Sequence, residues 1–149
     1  MDIKVDRFWD KENKYTEGFL KEYKNWVLEV SYRQHTLGCY IIFAKRAVEK
    51  ISELKTDEID ELKEVMAEIE TALSKNDIFG PDRFNYWQMG NALHHLHFHG
   101  IPRYASRRTF NGKEWVDKTW GSVPIWSKEN VDHDLIRKIK EAVKPYLSK

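Results

Sequence analysis

Hydrophobic and polar positions divide the chain into strand-like and helix-like stretches. Residues 26–32 (Trp-Val-Leu-Glu-Val-Ser-Tyr) suit a strand, bounded by the polar Arg33-Gln34-His35-Thr36. Gly38 opens a second apolar run, Cys39 to Ala44, which reads as a buried strand paired to the first in an antiparallel hairpin. Farther on, Ile59, Leu62, Val65, Met66, Ile69 and Leu73 recur at three- and four-residue steps and predict an amphipathic helix. Thr56 is the expected N-cap, with Asp57 and Glu58 placed where the helix dipole favours negative charge. The glutamates and lysines of the other face read as solvated surface. Gly80-Pro81-Asp82 breaks the chain, and Phe84-Asn85-Tyr86-Trp87 suggests another strand before Gly90.

Toward the C-terminus, Asn111-Gly112 is a turn pair between two candidate strands. Leu135, Ile139, Ala142 and Val143 mark a short amphipathic helix with Pro145 near its end. Residues 1–23 read as an arm with a short helix, anchored by Phe8, Trp9, Tyr15, Phe19 and Leu20. With no repeat or linker, the economical expectation is one α+β domain over residues 1–149.

Composition narrows the setting. A net charge of +1 supplies no general field toward nucleic acid or an anionic membrane. The longest apolar run, Cys39 to Ala44, is too short to cross a bilayer, and Met1 to Asp6 lacks the apolar core of a secretory signal. One cysteine, Cys39, excludes an internal disulfide and a cysteine-based zinc site. A cytoplasmic protein is expected.

The chemistry concentrates in residues 93–103, Leu-His-His-Leu-His-Phe-His-Gly-Ile-Pro-Arg. On a strand, His95, His97 and His99 form one imidazole row, whereas a helix would throw successive members to opposite sides. Leu93, Phe98 and Ile101 fit a strand, and Pro102 is expected to end it. His94 would point the other way, and His35 and His133 read as ordinary polar residues. Shared zinc ligation by the whole row is disfavoured, because His95 and His99 would stand about 13 Å apart at Cβ. Two of them with a third ligand from His35 or His133 would still suffice for a metal. A phosphate chain suits the row better, since neighbouring imidazoles can serve different oxygens while the central one attacks phosphorus. Burying three imidazoles for structure alone would require a partner for every ring nitrogen.

His95-Leu96-His97-Phe98-His99-Gly100-Ile101-Pro102-Arg103 resembles the motif of the histidine-triad (HIT) family of nucleotide hydrolases and transferases. Support extends upstream through Leu37-Gly38, Lys45-Arg46, Leu54 and Thr56-Asp57-Glu58, so the likeness covers about residues 24–104, with a C-terminal hairpin and helix in 105–149. The resemblance implies a five-stranded antiparallel sheet with two main helices, commonly a homodimer. It implies attack by His97 on the α-phosphorus of a nucleoside polyphosphate or phosphoramidate, diadenosine polyphosphates included, through a covalent nucleotidyl-histidine. His99 would then contact the phosphate, and His95 would orient His97 and the substrate. No cofactor is required on this reading, although a divalent metal could accompany the substrate phosphates. The alternatives are a nucleotide-binding module with little turnover, or a histidine-ligated metal protein.

Departures from the family pattern matter too. Asn91 stands where many members carry a glutamine, and Gly100 replaces an apolar residue. The resemblance also sets Asn85 against a substrate-contacting asparagine of the family, so it implies Asn85 and Asn91 beside His99 as substrate contacts. The aromatic and basic C-terminal segment could cover the nucleotide, arginines on phosphate and a tryptophan on the base, but the favoured reading makes the tryptophans of residues 115–126 core or dimer contacts and leaves Arg103, Arg107 and Arg108 solvated.

Overall fold

The computed structural model describes residues 17–148. Its centre is a five-stranded antiparallel sheet, β1 (Phe19–Glu22), β2 (Trp26–Val30), β3 (Tyr40–Ala44), β4 (Arg83–Trp87) and β5 (His97–Arg103), ordered β1-β2-β3-β5-β4. A separate hairpin joins β6 (Arg108–Phe110) to β7 (Lys113–Trp115). Its turn is Asn111-Gly112, with φ of 54° and 72°, the left-handed pair that matches strand twist. Helix α1 (Thr56–Ser74) links β3 to β4, and α2 (His133–Val143) follows the hairpin.

Strand register decides which side chains meet. Leu28, Ile42 and Phe98 lie opposite one another and join the core with Val65, Ile69 and Leu73 of α1 and Ile136, Ile139 and Val143 of α2. Trp26 donates its indole N–H to the Glu58 carbonyl at 2.9 Å, and Asn76 donates to the Ala142 carbonyl at 2.8 Å. Both helices therefore cover one face. The other face carries Glu29, Ile41, His99 and Trp87 in one row and Val27, Phe43 and His97 in the next.

Several expectations change. Phe19–Glu22 is a strand rather than arm or helix, and residues 1–16 lie outside the described residues. The first predicted strand stops at Val30, before Ser31 and Tyr32. The N-cap of α1 is Lys55, not Thr56; Glu58 accepts the Lys55 backbone N–H at 2.8 Å, so the first turn is satisfied from within. Ile59 is 48% exposed because its position rotates off the stripe that faces the sheet. Pro102 does not end its strand. Its carbonyl accepts from Thr36 Oγ1 beyond the end of β3, so the N–H that proline lacks would have faced no ladder partner. Among the described residues, no helix is long and apolar enough to cross a membrane.

Gly100 replaces a side chain with a neighbour's ring. A Cβ there would fall inside the Tyr40 ring, which fills the helix-side space over the strand. Tyr40 and Tyr86 hydroxyls lie 2.7 Å apart, and Tyr86 donates to Glu70 at 2.6 Å, which holds the ring in place.

Candidate active site

The histidine strand begins at His97, not Leu93. His95 precedes it and directs its Nε2–H to the Ala44 carbonyl at 2.5 Å. A carbonyl only accepts, so the ring nitrogen in this contact carries the proton. The His95 ring is thereby tied to the end of β3 and does not line the cavity. Its backbone carbonyl instead accepts from His97 Nδ1 at 2.6 Å. The contact of His95 with the His97 ring is thus made through its main chain, and of the three rings expected in one row only His97 and His99 border the cavity.

His97 gains its geometry from that bond. With Nδ1 protonated, Nε2 of the neutral ring keeps a lone pair. The ring also stacks on Phe43, with centroids 5.5 Å apart and planes 25° from parallel. Burial moves its pKa below the usual histidine value, an effect opposed by the His95 carbonyl bond and reinforced by the His95 charge. His97 is therefore a neutral, oriented base at neutral pH.

His99 stands beside it, ring centroids 4.9 Å apart and nearly perpendicular. Burial first, then the neighbouring His97, His35 and Arg33, push its pKa down to about 4. His99 is a neutral hydrogen-bonding group at neutral pH rather than a cation. Trp126 meets its ring edge-on at 5.0 Å, lies 5.3 Å from Trp87, and stacks on His35 at 4.1 Å. His35 Nδ1 accepts the Ser127 backbone N–H at 2.7 Å, and burial with the Arg33 charge pushes its pKa to about 4. His35 is then a support for Trp126. His94 is exposed and contacts the Asn91 carbonyl at 3.1 Å.

Two joined compartments open onto these rings. One of about 550 Å³ is bordered by Trp87, Met89, Asn91, Leu93, His97, His99 and Trp126. A second of about 270 Å³ shares Arg33, Leu93, His97, His99 and Trp126 and reaches Glu29, Ile41 and Phe43 on the sheet. Asn91 is brought to the cavity. Asn85 is not: its Oδ1 accepts from Arg103 at 2.8 Å, and it borders a different depression with Arg83 and Trp120. Arg103 is also not solvated. It is 2% exposed, binds Asp117 at 2.6 and 3.1 Å, and donates to the Thr119 and Ser122 carbonyls. That clamp draws residues 117–122 onto the end of β5.

Trp126 borders the cavity, the less favoured of the two placements open to the C-terminal tryptophans, whereas Trp87, Arg33 and Glu29 were not expected there. Of these three only Glu29 left a signal, as a lone acid inside an apolar strand. Among the described residues, no group of three or more His, Cys, Asp or Glu is arranged to hold a metal ion.

The model of the HIT domain matches residues 29–106. A search of the curated proteins finds no match. Among solved structures, a HIT-like protein involved in cell-cycle regulation from Bartonella henselae aligns at a TM-score of 0.67 and 15% identity, covering 91% of this chain and 90% of that one. A histidine triad protein from Sinorhizobium meliloti gives 0.67 and 18%, covering 93% and 96%. The diadenosine triphosphate hydrolase of Plasmodium falciparum gives 0.63 and 12%, covering 87% and 76%.

Proposed function

The chain belongs to the HIT domain family, and from that premise we propose that it cleaves a nucleoside polyphosphate or phosphoramidate at the α-phosphate, with His97 as nucleophile. The observation that carries this reading is the 2.6 Å contact from His97 Nδ1 to the His95 carbonyl, which leaves the Nε2 lone pair for attack. Nε2 bonds to the α-phosphorus as the bond to the leaving group breaks; the electron pair departs with a phosphate anion or, from a phosphoramidate, with an amine whose nitrogen takes a proton from solvent. The resulting nucleotidyl-histidine carries positive charge on the ring, which the His95 carbonyl stabilises. Water then adds to phosphorus, losing its proton to solvent, and the phosphorus–nitrogen bond returns its pair to Nε2.

His99, neutral and held by Trp126, offers one N–H to the phosphate oxygens. Arg33 borders both compartments and supplies the nearby positive charge. Asn91, at the border of the larger compartment, faces the leaving group. Positioning and charge stabilisation supply most of the rate, because the reaction asks for little other covalent chemistry. The structural neighbour that hydrolyses diadenosine triphosphate makes dinucleoside polyphosphates the first substrates to try.

The same reading takes the protein as cytoplasmic and homodimeric, with no resident metal required and any divalent ion arriving on the substrate phosphates. Strand β4, at an edge of the sheet, is suited to pairing with a second copy.

Turnover of a panel of dinucleoside polyphosphates and phosphoramidates tests the proposal. His97→Ala is expected to lower kcat by at least about a thousandfold while nucleotide binding persists. Near-normal turnover in that variant contradicts the mechanism. Tight binding by the wild-type chain with no product from any substrate supports a binding module instead.

A further inference from the structure

One acid in the cavity has no counter-ion. Glu29 lies opposite Ile41 on the neighbouring strand, and Ile41 lies opposite His99, so Glu29 shares the face that carries the two cavity histidines. It is 6% exposed and borders the smaller compartment with Tyr32, Arg33, His97 and Trp126. Among the described residues, no cation pairs with its carboxyl and no donor is hydrogen-bonded to it. The rest of β2 is Trp26, Val27, Leu28 and Val30, all buried and apolar.

An apolar residue would pack better at this position. The carboxyl oxygens still reach the compartment, and a ligand that fills it must supply their partner, since a polar group left buried without one costs about 1–3 kcal/mol. Burial pushes the Glu29 carboxyl up to about 8, so at neutral pH it presents one O–H donor beside one carbonyl acceptor. Strand β2 is two strands from β5, roughly 9–10 Å across the sheet. That separation places His97 and His99 at one end of the cavity and the acid at the other, with room for a ribose between phosphate and base.

We propose that Glu29 reads the nucleobase, its carboxyl pairing with the ring nitrogen and exocyclic amine of adenine. The inference rests on the nucleotide reading above and names the base that site selects. Adenine meets both halves of the acid: the O–H donates to the ring nitrogen and the carbonyl accepts from the amine. Guanine can offer its ring N–H and carbonyl oxygen to the same acid, but its amine is then buried without an acceptor, a penalty that sets the preference. Pyrimidines give up stacking area against the aromatic wall.

Calorimetric titration of the full chain with AMP, GMP and deoxy-AMP at pH 7 tests this, using wild type, Glu29→Gln and Glu29→Leu. Wild type is expected to bind AMP at least about tenfold tighter than GMP and deoxy-AMP as tightly as AMP. Glu29→Gln keeps a neutral donor and acceptor and retains the preference, whereas Glu29→Leu brings AMP and GMP within about threefold. Retention of the full preference in Glu29→Leu overturns the proposal. So does a loss confined to AMP with deoxy-AMP unaffected, which would assign the carboxyl to the ribose. AMP binding with no base preference in wild type overturns the role of Glu29 alone. Failure of wild type to bind any of the three overturns the nucleotide reading and this inference together.

Discussion

Burial acts on His97 and Glu29 in opposite chemical senses with the same result, a neutral side chain on the cavity wall. For the imidazole, desolvation disfavours the proton; for the carboxyl, it retains one. The acid carries a stability signature. Its folded pKa of about 8 lies above the ordinary 4.5, so the native chain holds a proton that the unfolded chain releases between those values. Its contribution is fully present below about pH 4.5 and is lost as pH rises through 8. His35 and His99 work the other way, since folded values near 4 make their contributions full above 6.5 and lost on acidification. Those histidines are common to wild type and to Glu29→Gln, and they cancel in the difference between the two. The melting temperature of Glu29→Gln is therefore expected to rise relative to wild type as pH goes from 5 to 8, reaching several degrees at pH 8. Thermal melts across that range check it, and a pH-independent difference contradicts it. At this scale the alternating histidines were readable because a period of two is itself a strand signal. The ring of His95 was misplaced because its turn toward Ala44 depends on a contact 51 residues away.

The elements were readable where one segment buries one face. The stripe of α1 predicted the helix, and Asn111-Gly112 predicted its hairpin, since both signals are local. The ends were less readable. Lys55 replaces Thr56 as N-cap because the Glu58 carboxylate satisfies the Lys55 backbone N–H without help from a capping hydroxyl. Strand β5 outlasts Pro102 because β3 has already ended on that side. The departure at Gly100 is resolved by Tyr40, whose ring occupies the volume a side chain would take. Gly100→Ala is accordingly expected to cost about 1–3 kcal/mol by overpacking, read as a drop in melting temperature. Adding Tyr40→Leu should return part of that loss, giving a coupling between the two sites. Additive effects in the double-mutant cycle would contradict the packing account.

At the scale of the whole molecule, both helices lie on one face of the sheet, which leaves the histidine face to the cavity. The family motif pointed to this architecture, but periodicity could not order β5 between β3 and β4. Nor could it show that the Arg103–Asp117 clamp binds residues 117–122 to the end of β5, or that Trp126 beyond them stands against His99. Those placements rest on long-range contacts in irregular chain, which has no period to read. The helix-covered face holds β3 and β5 in register, and Ala44 at the end of β3 meets His95, in the segment leading into β5, in the arrangement that orients His97. The central claim is that this orientation produces a covalent intermediate. Rapid-quench intact-mass spectrometry of the wild-type chain mixed with a diadenosine polyphosphate measures it most directly. The account predicts a transient gain of one nucleotidyl group, located on His97 and absent from His97→Ala. Product appearing in the first turnover with no adduct at any quench time would contradict it.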